Sequence, residues 1–269
     1  MRFWKNTNTL DGFMPELLNL VSPEEADVAV IGSKPIDLGQ HPRLRGLFKC
    51  GVGVDNVPFY ECEARGISIG LPSAQTSDFI FEETANFTTH LILTMLYATV
   101  GDLETWVKTD RPLLNRRRAL LIGQGNIGKR VKAKLAPLIT VTSYDIAVQA
   151  EEELEPLVRQ AEVVSLHLPL TVATEGWFDE TKLSWMQDGA ALVNTARGAI
   201  VDEMSLLKEI EQGRLWAAFD VFWKEPYYGP LRAYHPERFL MTPHVASTCA
   251  DFLAGLAADL RVFVQGLMI

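Results

Sequence analysis

Cysteine is scarce in this chain. Its 269 residues include three, Cys50, Cys62 and Cys249. The number is odd and no CxxC or Cys/His metal spacing occurs, which argues against a disulfide framework and a structural zinc site. The expectation is a reduced, cytoplasmic protein with no metal. Basic residues are also outnumbered. Lys and Arg total 25 against 34 Asp and Glu, a net charge of -9, the wrong sign for a surface that neutralises phosphates. No nucleic-acid partner is therefore expected. The one short basic cluster, Arg116 to Arg118, reads as a solvated lead-in to a strand. Long apolar runs are missing too. A bilayer span needs roughly 18 to 20 apolar residues, and the greasiest stretch, LILTMLYATV, is short and interrupted by threonine. No membrane partner is expected. The opening MRFWKNTNTL has charge with no apolar stretch behind it, so no secretory leader is expected. There is no internal repeat and no low-complexity tract.

What the chain does have is ample core material, 48% hydrophobic against 22% charged residues, in the range of globular proteins. Short apolar runs alternate with helical patterns, which predicts an α/β fold with parallel strands. ADVAVIG (26–32), RGLFKC (45–50) and GISIGLP (66–72) read as buried strands, with a short helix in PFYECEAR (58–65). From Asp78 to Tyr97 apolar residues recur at helical period. VKTDRPLLNRRR (107–118) then reads as a hinge-like boundary. A second series follows, with strands at 119–123, 139–145, 161–168, 191–194, 215–220 and 238–242. Helices are expected near 127–136, 150–160, 180–187 and 203–212. Gly213 falls where the last of these should be capped. A final helix covers 249–267.

ALLIGQGNIG (119–128) places Gly123, Gly125 and Gly128 as G-x-G-x-x-G directly after a strand and at the opening of a helix. Glycines there permit a tight turn and let backbone N–H groups approach a pyrophosphate at the helix N-terminus. The next strand ends in Asp145, about 20 residues on, where a carboxylate would hold the ribose 2′-OH and repel a 2′-phosphate. The cofactor predicted is NAD rather than NADP. GVGVDN (51–56) lacks a third glycine and a clear following helix, and is not read as a second nucleotide loop. His244, in TPHVAS, is by itself open to two readings, a core histidine or a proton donor.

Taken together, GVGVDN, GQGNIG (123–128), HLPLTVAT (167–174), NTARGAIVDE (194–203) and FDVFWKEP (219–226) with TPHVAS resemble the D-isomer-specific 2-hydroxyacid dehydrogenases, in that family's order. The likeness runs from about Ala26 onward. It implies two Rossmann-like domains with parallel sheets and a cleft between them. A discontinuous substrate-binding domain would comprise 1–85 with 245–269, and an NAD-binding domain 86–244. It implies hydride transfer between NAD(H) and a small D-2-hydroxy or 2-keto acid of the glycerate, hydroxypyruvate, glyoxylate or 3-phosphoglycerate type. Two alternatives stand beside that one. They are a non-catalytic, corepressor-like NAD-sensing protein on the same fold, and a relative acting on formate or phosphite.

The resemblance also assigns residues. Arg197 matches the arginine that grips the substrate carboxylate and its reacting oxygen, a task suited to a planar, permanently charged fork. Glu225 matches the acid that orients the catalytic histidine and favours its charged form. His244 matches the acid/base, because histidine titrates near neutrality. Cofactor contacts are implied for Gly123, Gly125, Asn126, Ile127, Gly128, Asp145, His167, Pro169, Thr195, Ala196, Asp220 and Thr76. For Asp220 the competing reading is a strand-end acid capping a loop. Val52 and Gly53 match a loop whose N–H groups bind the substrate carboxylate. Lys49, just before it, reads as a solvated lysine or a phosphate ligand. A homodimer is implied. The chain departs from the family in an abbreviated first strand and helix, a trimmed linker before the nucleotide loop, and an altered lead-in to the long helix at DFIFEETAN (78–86).

Overall fold

The computed structural model describes residues 1–18 and 20–268. Of the expected first domain, Asn19 and Ile269 lie outside the described residues. The chain separates into two compact units, 1–80 with 247–269 and 81–246.

The first unit holds a four-stranded, all-parallel sheet in the order β1 (Phe3–Lys5), β2 (Val28–Ile31), β3 (Gly46–Lys49) and β4 (Ser68–Gly70). β2 and β3 are buried along their whole length. That explains their continuous apolar runs: in a parallel sheet covered on both faces, neither set of alternating side chains meets water. Helix α1 (Phe59–Ala64) connects β3 to β4. Between β1 and β2 lie two short 3-10 turns, Pro15–Leu18 and Pro23–Glu25, and a bridge from Leu20 to Phe3. Lys49 overturns its solvated reading. It is 3% exposed, and its Nζ donates to the Gly32 carbonyl at 2.6 Å.

Helix α2 (Ala74–Leu96) begins four residues before the periodicity predicts. Ser73 is the reason. Its Oγ accepts the Thr76 N–H at 3.2 Å, an N-cap bond that satisfies a donor the helix leaves open. The boundary between the units falls inside this helix.

After α2 the second unit forms a small antiparallel hairpin, β5 (Gly101–Asp102) with β6 (Val107–Lys108), where the sequence had suggested only the start of a linker. Its tip is held by Asp102, which accepts from Thr105 N–H and Oγ1. Then come β7 (Arg118–Ile122), α3 (Asn126–Leu135), β8 (Thr140–Tyr144), α4 (Leu154–Gln160) and β9 (Val163–Leu166). After these lie α5 (Glu180–Trp185), β10 (Ala191–Asn194), α6 (Glu203–Glu211), β11 (Trp216–Phe219) and β12 (Phe239–Met241). Gly213, at φ +68°, follows α6 as expected. The six longer strands form one parallel sheet in the order β12-β11-β10-β9-β7-β8.

Alternate strand residues face opposite layers of this sheet. Leu120, Ile122, Val164, Leu166, Leu192 and Phe219 enter one core. Ala119, Leu121, Val163, Val193 and Ala218 enter the other. Each fully buried Leu, Ile or Val contributes about 1.5–3 kcal/mol. Strand order reverses at β7, with β8 on one side and β9 on the other. In open parallel sheets, the crevice outside the carboxyl ends at such a reversal is where ligands bind. Helix α7 (Ala250–Gly266) returns to the first unit, where Phe252, Leu256 and Leu260 enter its core.

Candidate active site

The expected residues of the second unit gather on the loops that leave the carboxyl ends of its strands. Gly123, Gly125 and Gly128 follow β7. Gly123 takes φ +101°, and a Cβ on it would meet the His167 carbonyl oxygen at 2.5 Å, so the loops flanking the reversal touch there. A Cβ on Gly128 would come within 2.1 Å of the Gly123 carbonyl oxygen, whereas one on Gly125 would meet nothing within 4 Å. Two of the glycines are thus required by the protein's own packing. The third stands open at the start of α3, where no side chain caps the helix. A dinucleotide pyrophosphate fits that opening: uncapped N–H groups and the positive end of the helix macrodipole face it. Asn126 is exposed and Ile127 half-buried beside it.

Asp145 follows β8. Its Oδ2 accepts the Gln124 N–H at 2.9 Å and its Oδ1 the Ala147 N–H at 3.0 Å. This fixes the carboxylate against the glycine loop, and each oxygen keeps a lone pair for a ribose hydroxyl. His167 follows β9. Its Nε2 is enclosed without a hydrogen-bond partner, and burial pushes its pKa down to about 4, so the ring is neutral at pH 7. The Pro169 carbonyl is pinned by the Thr174 hydroxyl at 2.6 Å.

The Asn194–Arg197 turn follows β10. The Thr195 hydroxyl is 2.7 Å from that of Thr88 on α2, in a buried contact. Ala196 is half-buried. Arg197 is half-buried with Nη1 donating to the Ala196 carbonyl at 2.8 Å. Gly198 is required here, because a Cβ would meet Phe222 and Trp223 backbone atoms at 2.2 and 2.5 Å. The turn after β10 thereby lies against the loop after β11 that carries Glu225.

Glu225 and His244 are paired. His244 Nδ1 lies 2.8 Å from Oε2 and 3.0 Å from Oε1, and the Phe222 N–H donates to Oε1 at 3.2 Å. Burial pushes the Glu225 carboxyl up. The hydrogen bond with His244, the His244 charge, the Phe222 N–H and the Arg197 charge outweigh it, and its pKa stands below the ordinary value. With Nδ1 directed to the carboxylate, Nε2 is the nitrogen able to exchange a proton with a ligand. His244 itself has φ +54°, a left-handed conformation uncommon outside glycine.

Asp220 explains how that conformation is held. It is fully buried. Its Oδ1 accepts from Thr242 Oγ1 at 2.6 Å and Val245 N–H at 2.9 Å, and its Oδ2 accepts from Ala246 N–H at 2.8 Å. Both oxygens thus bond the loop that carries His244, as the capping reading of Asp220 expects. Thr76 is likewise hydrogen-bonded within its own unit. It lies in the first unit, 2% exposed, with its hydroxyl 3.0 Å from that of Ser73 and Gly255 packed on it. Val52 and Gly53 are half-buried in the loop after β3 of the first unit.

Sequence reasoning missed Thr88 and Asn194. Thr88 gave no signal beyond a polar residue at a buried helix position. Asn194 lay in view as the first letter of NTARG. A cavity of about 170 Å³ between Thr94, Met95, Trp216 and Arg238 contains none of the expected site residues. Among the described residues no group of three or more His, Cys, Asp or Glu side chains could hold a metal ion, and no helix is long and apolar enough to cross a membrane.

A parallel sheet with a glycine loop at its strand reversal and an acid-paired histidine on the loops after β11 and β12 defines a class, the nicotinamide-dinucleotide oxidoreductases. Residues 99–246 match the model of the D-isomer specific 2-hydroxyacid dehydrogenase NAD-binding domain. A glyoxylate reductase of Aeropyrum pernix is 34% identical over 260 residues, covering 85% of this chain and 76% of the relative. A hydroxypyruvate reductase of Thermotoga maritima is 28% identical over 256 residues, covering 88% and 82%. The crystal structure of D-lactate dehydrogenase from Aquifex aeolicus, complexed with NAD and lactic acid, superposes with a TM-score of 0.73 at 26% identity, covering 96% and 87%. This chain belongs to the D-isomer-specific 2-hydroxyacid dehydrogenase family. It is an NAD-dependent oxidoreductase of that class.

Proposed function

We propose that the protein reduces a small 2-keto acid, of the glyoxylate or hydroxypyruvate type, to the D-2-hydroxy acid, and runs the reverse oxidation. The observation that carries this reading is the Glu225–His244 pair, 2.8 Å apart, on strand-end loops beside the Arg197 turn. Bound NADH supplies the hydride that the keto carbon receives. Arg197 holds the substrate carboxylate and the reacting oxygen, and Val52 and Gly53 belong to the part given the substrate-binding role. Nε2 of His244 gives its proton to that oxygen as negative charge builds there, and takes it back in the reverse direction. Glu225 keeps Nδ1–H and the ring orientation. Asp145 receives the ribose, Gly125 with Asn126 and Ile127 the pyrophosphate, and His167, Pro169, Thr195 and Ala196 line the remaining cofactor surface.

In this reading 86–244 is the NAD-binding domain, and 1–85 with 245–269 takes the substrate-binding role. The three thiols are free, two of them buried, which supports a reducing cytoplasmic setting. Leu103, Trp106 and Val107, 83%, 79% and 60% exposed on and beside the β5–β6 hairpin, offer apolar surface for a homodimer. The test is loss of NADH absorbance with glyoxylate, hydroxypyruvate, pyruvate and 3-phosphohydroxypyruvate in turn. Turnover of at least one is expected. Pure protein that binds NADH and turns over none of them would overturn the reading.

A further inference from the structure

We propose that Asn194 is a positioning residue for Arg197, and that the buried side-chain amide sets the guanidinium where the substrate carboxylate is gripped. Asn194 is the last residue of β10 and is fully buried. Its Oδ1 accepts the Ala196 N–H at 2.9 Å and its Nδ2 donates to the Arg197 carbonyl at 2.9 Å. One side chain thus bridges a backbone donor and a backbone acceptor across the turn that presents Arg197. Only an amide does both at this reach. A carboxylate would offer the Arg197 carbonyl a second acceptor, and a hydroxyl is too short to span both groups.

The same residue is tied from behind, because its backbone carbonyl accepts the Asp220 N–H at 3.0 Å. The Arg197 turn therefore hangs from the sheet at a point shared with the residue that holds the His244 loop. The Arg197 carbonyl also accepts the Ile200 N–H at 3.3 Å, so a misplaced carbonyl would disturb the 3-10 turn Gly198–Ile200 as well. Thr195, between the two, is anchored separately through Thr88. Loss of the Asn194 amide should therefore move Arg197 more than the cofactor-facing part of the turn.

This inference rests on the reading of Arg197 as the substrate-gripping arginine, and the experiment separates the two. Keto-acid KM, kcat and NADH Kd are measured for the parent, Asn194→Asp, Arg197→Lys and the double variant. Arg197→Lys alone tests the reading: parent-like kinetics there would overturn the role of Arg197. With Arg197→Lys impaired, Asn194→Asp is expected to lower kcat/KM by about tenfold, mainly through keto-acid KM, the loss expected for one buried hydrogen bond. NADH Kd should stay within about threefold, a shift smaller than one such bond. In the Arg197→Lys background the same substitution should change kcat/KM by no more than about twofold, because the partner it acts through is already gone. A purely structural role would lower the melting temperature and leave the pair additive. Additivity, an unchanged keto-acid KM, or an NADH Kd weakened as much as the keto-acid KM would each overturn the proposal. Should Asn194→Asp fail to fold, Asn194→Ser carries the same cycle.

Discussion

Nδ1 of His244 sits against both oxygens of Glu225, while Asp220 grips the loop on either side through the Thr242 hydroxyl and the Val245 and Ala246 N–H groups. One carboxylate orients the ring and the other shapes the loop. His244→Ala is expected to cut kcat ~10²–10⁴-fold, the usual worth of a general acid, with NADH binding nearly unchanged; parent-like turnover would exclude it as the acid. His167 makes a different prediction, about stability. Its pKa falls from 6.5 to about 4 because burial disfavours the charged ring. Between those values the unfolded chain binds the proton and the folded one does not. Stability is therefore complete above the unfolded pKa and declines as pH falls toward about 4. Denaturant titrations at pH 7 and pH 5 should show this slope reduced in His167→Gln. An equal slope in both proteins would mean the ring is not held neutral.

At the scale of the element, α3 and the loop before it divide the three glycines by function. Gly128→Ala drives a Cβ to 2.1 Å from the Gly123 carbonyl oxygen. It should lift the helix off β7, with a cost of about 1–3 kcal/mol or more and a melting temperature lower by several degrees. Gly125→Ala meets nothing within 4 Å, and its backbone at φ -76° suits any residue. That variant should melt like the parent and yet bind NADH tenfold or more weakly, a loss of about 1.4 kcal/mol, because the added methyl occupies the pyrophosphate's approach. Thermal melts paired with NADH fluorescence titrations decide it. Unimpaired NADH binding in Gly125→Ala would remove the pyrophosphate from that position. The loop after β12 is an element in the same sense: its shape comes from Asp220, just past the end of the neighbouring β11, and its own residues carry the chemistry.

For the whole molecule, two parallel sheets in separate units expose different amounts of their design to sequence. The homodimer reading predicts sedimentation at twice the chain mass of 30.0 kDa at micromolar concentration. A stable monomer would withdraw it and leave the apolar hairpin residues without a partner of their own kind. The charge of -9 disfavours close approach of two copies at low salt, so association should strengthen with ionic strength as screening shortens the repulsion.

Most strand positions could be read from sequence because a strand covered on both faces is apolar throughout, and that pattern is local; β1 (Phe3–Lys5) has no such run and was not placed. The nucleotide loop was equally legible, since glycine chemistry and an acid one strand later are short-range features. Arg197, Glu225 and His244 were marked by the resemblance to the family, carried by motifs in its order. Other features needed the folded chain. The β5–β6 hairpin has no apolar alternation to announce it. Lys49 looks like a surface lysine until β3 is packed and the Gly32 carbonyl meets it. Asp220 bonds the loop after β12 across 22 to 26 residues of sequence, a reach no local pattern announces. Thr88 and Thr195 meet across 107 residues. Sequence by itself determined which segments become strands and helices and which residue types carry the chemistry, because burial and backbone preference act within a few residues. Tertiary structure decided where each polar side chain finds its partner, because a buried donor or acceptor must be satisfied by whatever backbone the fold brings beside it.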